Sequence, residues 1–186
     1  EGETLGTIGK QPFNLDDIDD AMLGTAAPPY EEGMYQGGGS MYAGDLPIAM
    51  GPGANFVEPS SGVLPPALAA QAQAVLKDIH FPYDSSRIMP NEADILEGIA
   101  AFLKDNQQAL LQIEGHCDER GTEEYNMALG SRRAGAVRQF LADLGVSPNR
   151  LYTISYGEEK PLNPASTEAA WAENRRAHFL VGIVGR

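Results

Sequence analysis

The feature that most constrains this chain is its partition into two unequal kinds of polymer. Residues 1–70 hold 12 of the 21 glycines and 8 of the 13 prolines, and ten acids (Asp16, Asp17, Asp19 and Asp20 among them) against a single base, Lys10. No stretch there keeps a helical or strand period, and Pro28-Pro29, Gly37-Gly38-Gly39-Ser40 and Pro65-Pro66 interrupt it. Such a segment cannot bury enough apolar area to offset the entropy of ordering it. Residues 71–186 carry 16 acids and 12 bases and keep their apolar residues in period. The expected organisation is therefore an acidic tether or docking arm over 1–70 and one folded domain over 71–186. As a flexible coil the arm would span roughly 45 Å. Its bulky residues (Pro12-Phe13-Asn14-Leu15, Ala21-Met22-Leu23, Tyr30, Met34-Tyr35, Met41-Tyr42) are short apolar anchors of the kind that dock on a partner.

Charge and composition exclude several classes. A formal net charge of −13 opposes nucleic-acid binding and electrostatic adhesion to an anionic membrane. One cysteine, Cys117, rules out an intramolecular disulfide, so a hydrophobic core must hold the fold. No apolar run is long enough for a transmembrane helix. Glu1-Gly2-Glu3-Thr4 has no signal-peptide character, which leaves a cytosolic protein or one whose targeting segment has been removed.

The domain reads as strands alternating with helices. Helices are expected from Pro66 to Lys77, from Pro90 to about Lys104, from about Thr122 to Leu144 with Gly145 at its end, and from Thr167 to Asn174. Strands are expected at Ile79-His80-Phe81, at Leu110–Glu114 as a half-buried strand, at Leu151–Tyr156 and at His178–Val184. Helices between strands require crossovers, so part of the sheet must be parallel. The predicted fold class is α+β, an α/β sandwich with helices packed on one side of a small mixed sheet.

The long helix sets its core stripe with Leu129, Ala136, Val137, Phe140, Leu141 and Leu144. Arg133 lies four residues from both Leu129 and Val137, on or beside that stripe, whereas Arg132 and Arg138 fall on other faces. A guanidinium there needs a carboxylate partner or a pocket, unless its stem crosses the core and its head reaches water. Asp118 sits in the loop His116-Cys117-Asp118-Glu119-Arg120-Gly121, between a strand end and a helix start. Its open roles are helix cap, partner of Arg133, or cation ligand. Consecutive strand-end residues point to opposite faces, which is poor geometry for a shared metal, so no metal site is expected. Cys117 has a neighbouring His but no orienting third group; it reads as a small buried residue, not a nucleophile, and no enzyme activity or cofactor is expected.

The run Ile113-Glu114-Gly115-His116-Cys117-Asp118-Glu119-Arg120-Gly121-Thr122-Glu123-Glu124-Tyr125-Asn126 resembles the signature of OmpA-like C-terminal domains, in the Asp-Glu-Arg-Gly-Thr form of the family's lipoprotein branch. Phe81-Pro82-Tyr83-Asp84, Leu129–Val137, Ser155–Pro161 and Asn174-Arg175-Arg176-Ala177 agree in order and spacing, over about 105 residues in all. The resemblance implies a non-catalytic module that binds the peptidoglycan stem peptide at meso-diaminopimelate. Asp118 and Arg133 match the positions that supply an anion and a cation to that zwitterionic head group. Tyr83 and Asp84 would line the same pocket, with Thr122, Asn126 and Leu129 near its rim and Asn174 and Arg176 close by. It further implies the periplasmic face of the outer membrane, an N-terminal lipid not present in this sequence, and TolB and other Tol proteins as partners. The alternative is an accessory subunit of a secretion or motility machine docked through the arm. Position 117 usually holds another small residue in the family, so Cys117 is a departure.

Overall fold

A computed structural model describes residues 55–183. The arm's apolar anchors, and the last residue of the expected final strand, lie outside the described residues. The elements run α1 (Pro66–Val75), β1 (Ile79–His80), α2 (Pro90–Asp105), β2 (Ala109–His116), α3 (Glu123–Asp143), a 3-10 turn (Pro148–Arg150), β3 (Leu151–Gly157), α4 (Glu168–Asn174) and β4 (Arg176–Ile183). The four strands form one mixed sheet in the order β1-β4-β2-β3. β2 and β3 are parallel, joined by the α3 crossover, and β4 runs antiparallel to both β1 and β2. The expected α+β sandwich is the fold observed.

The boundaries follow from local chemistry. Pro90 occupies the first turn of α2, where its missing N–H costs nothing. Thr122 and Thr167 cap α3 and α4, accepting hydrogen bonds from Tyr125 N (3.2 Å) and Ala170 N (3.3 Å). Leu96, Ile99 and Leu103 of α2, Ala134, Val137 and Leu141 of α3, and Leu111, Ile113, Phe179 and Val181 of the sheet share one core. Ala136, Phe140 and Leu144 are only half-buried, and Ala134 takes the innermost place, because α3 meets the sheet along its small residues.

Two results depart from expectation. β2 is buried almost throughout, with only Gln112 partly exposed, because it lies between β4 and β3 and its second face is covered by neighbouring side chains. There His116 stacks on Tyr156 with ring centres 5.6 Å apart, and Glu114 accepts from Gln112 Nε2 at 2.8 Å. The second departure concerns residues 55–70, placed on the tether side of the boundary. Leu64 and Leu68 enter the same core as the sheet, and Val57 pairs with Val181 at 3.0 and 3.1 Å.

An ion cluster fastens this lead-in segment to β4. His178 Nδ1 lies 2.7 Å from Asp78 Oδ1, and its Nε2 lies 2.8 Å from Glu58 Oε1. The hydrogen bond to Asp78, with the Glu58 charge behind it, pushes the His178 pKa up to about 9. A raised folded-state pKa stabilises fully below the unfolded value near 6.5 and loses that contribution as pH rises through about 9. His178→Gln should therefore lower unfolding free energy by on the order of 1–2 kcal/mol at pH 6, with the gap closing by about pH 10. Urea unfolding of both proteins at several pH values checks this; a gap independent of pH contradicts it.

α3 rests directly on the sheet at two glycines. A Cβ on Gly115 of β2 would lie 1.9 Å from the Gly130 carbonyl oxygen, and one on Gly130 would lie 2.2 Å from Ser155 Oγ. This backbone contact sets the height of α3 over the C-terminal end of β2, where the loop 117–122 begins.

Candidate functional site

Three segments meet at the C-terminal end of β2: the loop after β1, the loop 117–122, and the first three turns of α3. They enclose a cavity of about 420 Å³ lined by Tyr83, Asp84, Cys117, Asp118, Arg120, Gly121, Thr122, Tyr125, Asn126, Leu129 and Arg133. All seven residues singled out from the sequence, Tyr83, Asp84, Asp118, Thr122, Asn126, Leu129 and Arg133, border this one space. Asn174 and Arg176 do not. Asn174 Oδ1 accepts from Leu162 N and Asn163 N at 2.8 and 3.0 Å and shapes the loop before α4, while Arg176 Nε lies 3.2 Å from Asp78 Oδ2.

Arg133 is the unusual group. It is only 1% exposed, the largest of the fully buried side chains. Its guanidinium donates to three backbone carbonyls: Nε to Ser85 O (2.9 Å), Nη1 to His116 O (2.7 Å) and Nη2 to Pro82 O (3.2 Å). The Phe81 ring lies 5.1 Å below it. The loop can wrap the fork because Asp84 adopts φ 51, a left-handed conformation that aspartate tolerates. Carbonyls take up three of its five N–H donors but do not cancel the charge. Burial accordingly pulls the Arg133 pKa below the usual arginine value. The result is a stiffly held cation, at the edge of a cavity, that no carboxylate among the described residues pairs.

Asp118 does not pair with Arg133 and does not cap α3. Thr122 holds the cap, and two other arginines claim the carboxylate. Its Oδ1 accepts from Arg120 N (3.1 Å) and Arg120 Nε (3.2 Å), and its Oδ2 from Arg120 Nη2 (2.7 Å) and Arg175 Nη1 (3.2 Å). Burial works to raise its pKa, but the Arg120 hydrogen bonds outweigh that and hold it below the usual carboxylate range. Glu168 of α4 closes the ring, accepting from Arg120 Nη1 (3.4 Å) and Arg175 Nη2 (3.1 Å). The Arg120 guanidinium is stacked between the rings of Tyr83 (4.1 Å) and Trp171 (4.2 Å).

The remaining lining residues are also fixed. Asn126, 1% exposed, donates from Nδ2 to the carbonyls of Asp118 and Arg120 at 3.2 Å and to Glu158, which locks the loop onto α3. Tyr125 donates its hydroxyl to Asp84. Gly121, at φ 119, makes the turn from Arg120 into Thr122. Cys117 Sγ–H donates to Asn126 O at 3.3 Å, and burial pushes its pKa up to about 11, so it stays a thiol that fills volume. Sequence reasoning missed Arg120, Tyr125, Glu168, Trp171 and Arg175. Arg120, two residues from Asp118, and Tyr125, beside Asn126 on the first turn of α3, carried a local signal; Glu168, Trp171 and Arg175 reach the site through tertiary contacts.

The pocket is a small space with a buried guanidinium, unpaired among the described residues, on one side and a carboxylate on the other, set at the strand-to-helix end of an α+β sandwich. The chain belongs to the OmpA family: the family's model matches residues 80–175. It is 43% identical over 139 residues to the peptidoglycan-associated lipoprotein of Pseudomonas aeruginosa, covering 70% of this chain and 82% of that protein. It is 47% identical over 108 residues to the peptidoglycan-associated lipoprotein of Brucella melitensis, covering 58% of this chain and 64% of that one, so it spans somewhat under two thirds of the Brucella protein. Among solved structures, that of the peptidoglycan-associated lipoprotein from Burkholderia pseudomallei matches with a TM-score of 0.56 at 41% identity, over 56% of this chain and 89% of that one. The C-terminal domain of Helicobacter pylori MotB matches with a TM-score of 0.54 at 23% identity, over 57% of this chain and 84% of that one, a likeness of fold alone.

Proposed function

We propose that the pocket binds the stem peptide of peptidoglycan non-covalently at meso-diaminopimelate, and that the chain thereby links the outer membrane to the cell wall. The observation that carries this reading is Arg133: a cation buried to 1% exposure, held by three backbone carbonyls with no carboxylate paired to it among the described residues, bordering a cavity. A buried charge of this kind is costly unless a counter-charge arrives. A ligand carboxylate is the natural one, since the planar fork matches it. The far end of diaminopimelate carries an ammonium beside its carboxylate, and Asp118 and Asp84 are the acids at hand to receive it. The names of the relatives support peptidoglycan as the source of that group.

In this reading the chain is no enzyme. It sits on the periplasmic face of the outer membrane, held by a lipid on an N-terminal cysteine outside this sequence, and it meets TolB and other Tol proteins. The acidic sequence ahead of residue 55 is, in this reading, the tether between membrane and wall. The test is a calorimetric titration with a tetrapeptide bearing meso-diaminopimelate, beside its lysine counterpart, which lacks the second carboxylate. Binding to the first should be tighter by about two orders of magnitude, the worth of one charge-assisted pair in a closed site. Equal affinity for both peptides contradicts the assignment.

A further inference from the structure

Asp118 has no acceptor site left for a ligand. A carboxylate offers about four lone-pair positions. Here four N–H groups occupy them: Arg120 N and Nε on Oδ1, and Arg120 Nη2 and Arg175 Nη1 on Oδ2. An incoming ammonium must therefore displace one of the two guanidiniums. They are not equally movable. Arg175 is 8% exposed and also donates from Nε to Phe81 O at 3.2 Å, inside the fold. The Arg120 side chain is 29% exposed, and apart from Asp118 it is held by two aromatic faces and a long contact to the exposed Glu168. Its fork is the group that yields.

We infer that Arg120 is an internal rival of the ligand: its guanidinium occupies Asp118 in the free protein, and the ammonium of a zwitterionic ligand must expel it to bind. The inference rests on the proposed reading of the pocket. It gives Arg120 a part in specificity. A ligand with a carboxylate alone reaches Arg133 and leaves Arg120 in place. A ligand with both charges displaces Arg120 and gains Asp118. Because the fork lies between Tyr83 and Trp171, its departure also releases the loop after β1 from α4, so occupancy of the pocket is transmitted to the outer surface of the domain. The cost of expulsion appears as a reduced fraction of binding-competent protein, which weakens apparent affinity by that fraction.

The experiment compares wild type with Arg120→Gln, which removes the cation and keeps the backbone N–H on Asp118. Arg120→Lys is a second variant that keeps the charge but loses the fork. Each is titrated calorimetrically with the diaminopimelate tetrapeptide and with the same peptide acetylated on its side-chain amine, and the emission of Trp171, the single tryptophan, is followed. Arg120→Gln should bind the free-amine peptide roughly three- to tenfold more tightly than wild type and the acetylated peptide no more tightly, with Arg120→Lys between them. Wild-type Trp171 emission should shift with the free-amine peptide only. Weaker or unchanged binding of the free-amine peptide by Arg120→Gln overturns the inference. So does equal tightening toward both peptides, which would make Arg120 a steric lid and not a rival for Asp118. If no protein binds either peptide, the reading of the pocket itself has failed, and the rivalry fails with it.

Discussion

Arg133→Ala should reduce retention of the chain on isolated peptidoglycan sacculi to background. The substitution removes the buried cation and with it the counter-charge for the ligand carboxylate. Truncating one partner of a buried, hydrogen-bonded charge pair costs about 2–5 kcal/mol of binding, enough to remove a moderate interaction from a sedimentation assay. The fold should survive. The carbonyls of Pro82, Ser85 and His116 would face the space the side chain vacates, which adjoins the cavity that Arg133 lines and which water can fill, so the stability loss should stay at about 1–2 kcal/mol. Arg133→Lys is the informative companion. An ammonium keeps the charge but cannot serve three carbonyls at fixed angles and a carboxylate as well, so retention should be intermediate. Co-sedimentation checks both variants, with circular dichroism to confirm folding. Retention of Arg133→Ala at the wild-type level would remove Arg133 from the site.

Gly115→Ala should be the most damaging substitution of a single small residue in the sheet. The added methyl would lie 1.9 Å from the Gly130 carbonyl, a backbone atom that cannot rotate away. Relief requires α3 to lift from β2 and β3, and overpacking of this kind costs about 3 kcal/mol or more. α3 also carries Asn126, Leu129 and Arg133, so the same movement opens the pocket. Unfolding free energy and sacculus retention should fall together. Urea denaturation and co-sedimentation on one preparation check this; a loss under about 1 kcal/mol would show that the contact is not as tight as the backbone places it.

These two residues also mark how far the sequence is legible. Arg133 was visible as a charge on a buried stripe because helical spacing alone places it between Leu129 and Val137. Its partners were not visible: they are carbonyls 48 and 51 residues upstream and one at the end of β2, and carbonyls leave no signature in side-chain composition. Pro90 and Gly145 revealed the start of α2 and the end of α3 through local chemistry. Asp118 misled for the opposite reason. A carboxylate just before a helix fits a cap, yet tertiary packing brings Arg175 to it from the α4–β4 junction and folds Arg120 back over it. The burial of β2 on both faces likewise depends on which strands flank it, which a single strand's pattern does not encode. The family resemblance supplied what spacing could not, namely which residues meet.

The central claim is that Arg133 and Asp118 together hold the zwitterionic end of one amino acid. The most direct measurement is the structure of the chain in complex with a diaminopimelate tetrapeptide. The account predicts the side-chain carboxylate within hydrogen-bonding distance of the Arg133 guanidinium and the adjacent ammonium on Asp118. A peptide seated elsewhere on the domain, or one that enters the cavity by its other end and leaves Arg133 without a carboxylate, would contradict it.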